Sequence, residues 1–145
     1  MVETMSLKEQ IAAARHEIES TEPTALNVEV GGALVALTFR AVTGMEWATL
    51  TAVHPPRKGS TLDNNVGFDS DALSAGYPVE KITADGEPVA AEDWAQLFDV
   101  LTAPNIKNIA AVLWGIHQLD PSRRLQELGK ALAGNSKKKS SLPAK

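Results

Sequence analysis

The chain contains no cysteine, which excludes disulfide staples, thiolate metal sites and a thiol nucleophile. That composition fits a reducing cytoplasm. No apolar run approaches the roughly 20 residues that span a bilayer. The opening M-V-E-T-M-S-L-K-E-Q carries acids and lacks the apolar core of a signal peptide. Aromatic residues make up only 5% of the sequence, as three Trp, three Phe and one Tyr, so a few rings must anchor much of the packing.

Catalytic signatures are equally scarce. His16, His54 and His117 are the only imidazoles, and none lies in an H-x-x-x-H or H-E-x-x-H pattern. There is no G-x-x-x-x-G-K-[ST] phosphate loop, and Ser60, Ser70 and Ser74 have no G-x-S-x-G context. Asp63, Asp69 and Asp71 lie in D-N-N-V-G-F-D-S-D, which lacks the spacing and closing Glu of a calcium loop. They read as solvated turn residues. His54 reads as a helix C-terminal residue and His117 as a boundary residue of the core. An enzyme, a cofactor and a metal are therefore not expected, and a protein-binding module is.

What is present suits one domain of ordinary soluble composition, with 145 residues, 43% hydrophobic and 22% charged. The net charge of −4 is uneven. Lys137, Lys138, Lys139 and Lys145 fall in the last nine residues, which hold no acid, leaving 10 bases against 18 acids elsewhere. An acidic body does not suit a nucleic-acid groove.

The pattern predicts an α+β fold: one or two small β-hairpins towards the N-terminus, a helical C-terminal half and a disordered basic C-terminal tail. Its divisions are an N-terminal helix and linker over 1–25, an α+β body over 26–133 and the tail over 134–145. Ser6 and Glu9 form a capping box, after which Leu7, Ile11, Ala14 and Ile18 make a thin apolar stripe to about Glu19. Leu26–Val30 and Leu34–Arg40 flank Gly31-Gly32, a hairpin signal. Thr43 and Glu46 box the next helix, with Trp47 and Leu50 on it and Pro55-Pro56 after it. Arg57 to Asn65 is polar and turn-rich, so it reads as a mobile loop. Asp69 caps a single helical turn to Ala75. Asp85-Gly86 centres a second hairpin, in which Pro88 requires an edge position.

The C-terminal half holds the clearest helical periodicity. Trp94, Leu97, Phe98 and Leu101 make an i, i+3, i+4, i+7 set, and Ile106, Ile109, Leu113 and Ile116 follow beyond Pro104. Asp120-Pro121 punctuates again before Leu125, Leu128 and Leu132, and Gly134 marks a stop. The two middle stripes either pack on each other as core or line a groove that takes an amphipathic helix. Trp47 is expected to be buried against Leu37 or Phe39.

Four segments in order carry a family resemblance: F-R-A-V-T-G-M-E-W-A-T-L-T-A-V-H-P-P-R (Phe39–Arg57), N-N-V-G-F-D-S-D-A-L (Asn64–Leu73), G-Y-P-V-E-K-I-T (Gly76–Thr83) and E-D-W-A-Q-L-F-D-V-L (Glu92–Leu101). Over about Val28 to Leu119 the chain resembles the tail assembly chaperones of long-tailed, siphovirus-type phages of actinobacteria. The resemblance implies a non-virion morphogenesis factor that acts in the host cytoplasm. Such a chaperone binds the helical tape measure protein, keeps it soluble and promotes polymerisation of the tail tube around it. It also implies a longer product of the same gene made by programmed ribosomal frameshifting, through which tail tube protein is recruited. Lys137–Lys139 and Leu128-Gly129-Lys130 are where such a shift is sought. Trp94, Leu97, Phe98, Leu101, Ile109, Leu113 and Ile116 are then the expected partner-binding residues. Self-association is possible, and neither nucleic acid nor membrane is a partner. The alternative is a structural tail completion or head–tail connector protein of the virion.

Asn135–Lys145 holds one strong hydrophobe, Leu142, too little apolar surface to offset the entropy of ordering. Deleting these residues is expected to leave the melting temperature of the body nearly unchanged in a circular-dichroism melt; a fall of several degrees contradicts the assignment.

Overall fold

The computed structural model describes residues 4–141, with side chains as far as Ala133. Two hairpins form as their turn residues predict. β1 (Thr24–Val30) and β2 (Ala33–Phe39) meet across Gly31 and Gly32, both at positive φ, the conformation that glycine adopts without strain. β3 (Ile82–Ala84) and β4 (Glu87–Pro88) meet across Asp85-Gly86. Asp85 holds a φ of 50°. Its carboxylate accepts from Ala36 N–H at 2.9 Å, and its own N–H donates to Ala36 O at 2.7 Å. The turn is thus pinned to the neighbouring strand. The sheet is antiparallel throughout, in the order β1-β2-β3-β4. Pro88 sits on the edge strand β4, where a missing donor costs no ladder bond.

The register puts Leu26 opposite Leu37, Val28 opposite Val35 and Phe39 opposite Ile82, which gathers one apolar face. Helices cover that face. α1 (Leu7–Ser20) precedes the sheet. Between β2 and β3 run α2 (Gly44–Ala52), α3 (Thr61–Val66), α4 (Ser70–Ala75) and a 3-10 turn, Val79–Lys81. After the sheet come α5 (Ala91–Val100), α6 (Ala103–Trp114), a π-helical turn at Gly115–Leu119, and α7 (Asp120–Ser141). Both predicted capping boxes are present, at Ser6/Glu9 and Thr43/Glu46.

The core is an aromatic chain resting on the sheet. Phe39 meets Tyr77 and Trp94 edge-on, with centroids 6.4 and 6.1 Å apart. The Trp94 indole donates to Ser74 O at 3.1 Å, and the Tyr77 hydroxyl donates to Arg40 O at 2.6 Å. Trp94 and Tyr77 thereby satisfy their polar ends. β1 is the other edge strand. Asn105 of α6 pairs with Glu29, donating to its carbonyl at 3.1 Å and accepting from its N–H at 3.4 Å. That clamp satisfies part of an edge that would otherwise template a foreign strand.

Three expectations are corrected. First, Arg57–Asn65 is not a mobile loop. Ser60 caps α3, and Arg57 grips the fully buried Asp63. Asp63 accepts from Arg57 N–H, Nε and Nη2 at 3.0, 2.7 and 3.1 Å, and from the N–H and hydroxyl of Ser70 at 3.2 and 3.0 Å. Polar composition marked this stretch as solvated, whereas its carboxylate turns inward because five donors converge on it. Second, Asp120-Pro121 does not break the chain's course. A widened π turn precedes the proline, and Asp120 N–H reaches back to Gly115 O. This turn shifts the hydrogen-bond register just where Pro121 has no donor, so the helix continues. Third, α7 is bounded at Ser141, beyond the stop expected at Gly134. Residues 142–145, and every side chain of the tail expected to be disordered over 134–145, lie outside the described residues.

Trp47 is buried, but its ring neighbours are Phe68, edge-on at 5.3 Å, and His117, stacked at 4.0 Å. Phe39 instead faces Tyr77 and Trp94. Trp47→Ala is expected to cost about 3–5 kcal/mol, as for other buried aromatics, and to lower the denaturation midpoint accordingly; a wild-type midpoint in urea contradicts this placement.

Candidate partner-binding site

The partner-binding residues expected from the sequence divide between core and boundary. Trp94, Leu101, Ile109 and Leu113 are buried, while Leu97, Phe98 and Ile116 are half-buried against the same cluster. In this folded state the first four offer no surface to a partner. Periodicity located their apolar stripes but could not say what covers them. The sheet and α4 do so: α6 packs against α4 and β1, and α5 against α4.

The apolar surface that stays open lies on α1 and α7. Leu7, Ile11, Ile18, Leu125, Leu128 and Leu132 are between 45% and 71% exposed. No residue of α1 is buried. The C-terminal end of α1 and the N-terminal end of α7 wall a cleft of about 820 Å³. Phe39, Ala41, Ile116 and Pro121 contribute to its lining, with Arg40, Lys81 and Glu22 around them. Of the seven expected residues, Ile116 alone lines this cleft. The heptad-like spacings of Leu7, Ile11, Ala14 and Ile18, and of Leu125, Leu128 and Leu132, were the legible signal for it.

Each wall has its own fixing. α1 ends where Ser20 and Thr21 hydroxyls donate to the carbonyls of His16 and Glu17, at 2.7 and 2.6 Å. Arg40 then donates to Thr21 O at 3.0 Å, holding the helix end beside the end of β2. Arg124 reaches across the cleft to Glu17 with both of its terminal nitrogens. That pair is largely exposed, so salt screens it. It holds the Glu17 carboxyl below its ordinary value.

The α7 wall depends on His117. Its Nε2 lies 3.0 Å from Val42 N–H and its Nδ1 2.7 Å from Leu113 O. An amide N–H can only donate and a carbonyl can only accept, so the ring is neutral and carries its proton on Nδ1. Trp47 stacks on one face, and the Tyr77 hydroxyl lies 3.3 Å from Nε2. Burial lowers the His117 pKa from its ordinary value, against a smaller opposing effect of the Leu113 carbonyl.

Elsewhere, the polar cage around Arg57 is balanced internally. Arg57 also meets Asp69 at 3.3 Å and Asp71 at 3.0 Å, and Lys107 meets Asp71 at 3.2 Å. A guanidinium therefore occupies the centre of the acidic cluster and holds the Asp63 carboxyl well below the usual range. Among the described residues, no three His, Cys, Asp or Glu side chains are placed to hold a metal ion. His54 bonds Leu50 O through Nδ1 at 2.9 Å and lies against Gly76, a role in packing. No described helix is long and apolar enough to cross a membrane. No protein-family model, curated protein or solved structure matches the chain.

The depressed His117 pKa has a definite sign. The unfolded state binds the proton more readily, so stability is full above the unfolded value near 6.5 and declines as pH falls below it towards the folded value. Urea midpoints measured across this window are expected to drop for the wild type. They should drop less for His117→Gln, which cannot titrate; equal slopes in the two proteins contradict the assignment.

Proposed function

We propose that the chain is a tail assembly chaperone of a long-tailed phage, which holds the amphipathic helices of a tape measure protein before the tail tube forms around them. The observation that carries this reading is the open cleft between α1 and α7, apolar along its walls and mounted on an acidic body. A long helical client exposes apolar stripes that aggregate when bare. A groove formed by two helices takes such a stripe in the helix-in-groove mode, reading side chains at i, i+3, i+4 and i+7. The body's acidity keeps the complex soluble. The four ordered segments quoted above support the same reading by resemblance.

The client surface on this reading is Ile18, Leu125 and Leu128 on the walls, with Ile116 beneath. Trp94, Leu101, Ile109 and Leu113 hold the scaffold. Leu97 and Phe98, half-buried, flank it. A longer frameshifted product of the same gene carries the extension that recruits tube subunits, and the work is done in the host cytoplasm. Binding rather than turnover is the activity.

Co-expression with the tape measure gene of the same genome is expected to give a soluble complex that Leu128→Asp weakens. Mass spectrometry of purified virions is expected to find the chain absent. An insoluble tape measure with no recoverable complex contradicts the proposal, and the chain's presence in virions assigns it to the connector or completion class instead.

A further inference from the structure

α1 is closed at both ends by its own residues. The Ser6/Glu9 capping box satisfies donors of its first turn, and the Ser20 and Thr21 hydroxyls satisfy carbonyls of its last. It buries none of its 14 residues and packs extensively against no described element. Leu7 and Ile11, in its N-terminal half, are exposed and lie outside the cleft lining. Among the described residues, two polar contacts tie this helix to the rest of the chain. Arg40 donates to the Thr21 carbonyl at 3.0 Å, and Arg124 of α7 pairs with Glu17.

The positions of the two ties give them different roles. Thr21 ends the helix in an extended conformation, with φ −69° and ψ 133°, and is exposed. Beyond it, Pro23 keeps Glu22 out of the helical region, and the chain is part-buried from Pro23 into β1. Backbone freedom therefore gathers at Thr21, an element-terminal position of the kind that absorbs the dihedral change of a hinge. Arg40 holds the Thr21 carbonyl, on the body side of that pivot, so its bond survives a swing of the helix. Glu17 lies one turn inside the helix, so its bond to Arg124 breaks when α1 leaves α7.

We infer that α1 is a hinged arm that turns about Thr21, with Arg40 as its pin and the Glu17–Arg124 pair as the latch that holds it against the cleft. The latch is weak. Its side chains are 53% and 66% exposed, and an ion pair in that setting shifts a balance by no more than about fivefold and yields to salt. Closed and open forms therefore coexist, and ionic strength sets their ratio. Opening withdraws Ile18 from the cleft and leaves Leu125 and Leu128 of α7 as its apolar wall. The inference concerns the chain alone and holds whatever enters the cleft.

Because the chain has no cysteine, spin labels attach only where a cysteine is placed. Double electron–electron resonance between Lys8→Cys on α1 and Ala48→Cys on α2, both exposed, tests the arm in the full chain. At about 1.5 Å per residue, a swing of about 30° at Thr21 moves the first label by about 10 Å. Two separations are expected, and the open one should gain as salt rises to about 1 M, where the Debye length falls to about 3 Å. Arg124→Gln should raise the open-to-closed ratio by up to about fivefold at low salt and abolish its salt dependence. Exchanging the charges, as Glu17→Arg with Arg124→Glu, should restore both. The melting temperature should stay unchanged throughout, because both latch residues are exposed. A single separation that neither salt nor Arg124→Gln alters overturns the proposal. So does an equal change between Glu127→Cys and Ala48→Cys, which places the motion in α7 instead.

Discussion

The imidazole of His117 lies parallel to the indole of Trp47, with centroids 4.0 Å apart, and both of its nitrogens engage backbone groups. The Trp47 stack and the Val42 bond join residues 70 and more apart in sequence. His117 sits inside the π turn that links α6 to α7, and Val42 and Trp47 belong to the segment leaving β2. The imidazole thus fixes the direction in which α7 departs relative to the end of the sheet. The cleft exists only while that direction is kept, because its other wall, α1, is tied to the same sheet end through Arg40 and Thr21. Burial favours the neutral ring, and the neutral ring with its proton on Nδ1 is the form whose Nε2 accepts from Val42.

Around that junction the structure separates scaffold from surface. The scaffold is the sheet face, the Phe39–Trp94–Tyr77 cluster and the caged Asp63, whose acceptor sites are filled by Arg57 and Ser70. A buried carboxylate removed from its partners would be strongly destabilising, whereas one met by five donors holds three short segments together. It secures α3 and α4, helices of six residues each that are too short to persist alone. The surface is the pair of helices at the two ends of the described chain, α1 and α7, which add little to the core and leave their leucines and isoleucines to solvent. A helix that stabilises its own body buries its stripe. These two do not, and the proposed function follows from that difference.

Much of the fold was legible because local chemistry announced it. Gly31-Gly32 and Asp85-Gly86 marked both hairpins, Thr43/Glu46 and Ser6/Glu9 marked two helix starts, and Asp69 marked α4. Which side chains close on one another was less accessible. Arg57 and Ser70 stand only six and seven residues from Asp63, yet nothing in that spacing says that they close over it, so its polarity reads as exposure. Nothing near His117 says that Trp47 will stack on it. The stripes of α5 and α6 were correctly placed on helices, yet a stripe is identical whether a sheet or a partner covers it; only the fold assigned Trp94 and Ile109 to the interior. The seams of α1 and α7 were equally readable as spacing, and their exposure became known only when the body closed without them.

The junction between sheet and α7 turns on the state of one ring, His117. Long-range nitrogen–proton correlation spectra of the imidazoles report tautomer and charge directly. At neutral pH they should show His117 neutral, with its proton on Nδ1 and an unprotonated Nε2 shifted by an accepted hydrogen bond. A His117 ring that is protonated at neutral pH, or that carries its proton on Nε2, would mean that Val42 N–H is not bound there. The junction that sets the direction of α7, and the cleft built on it, would then be contradicted.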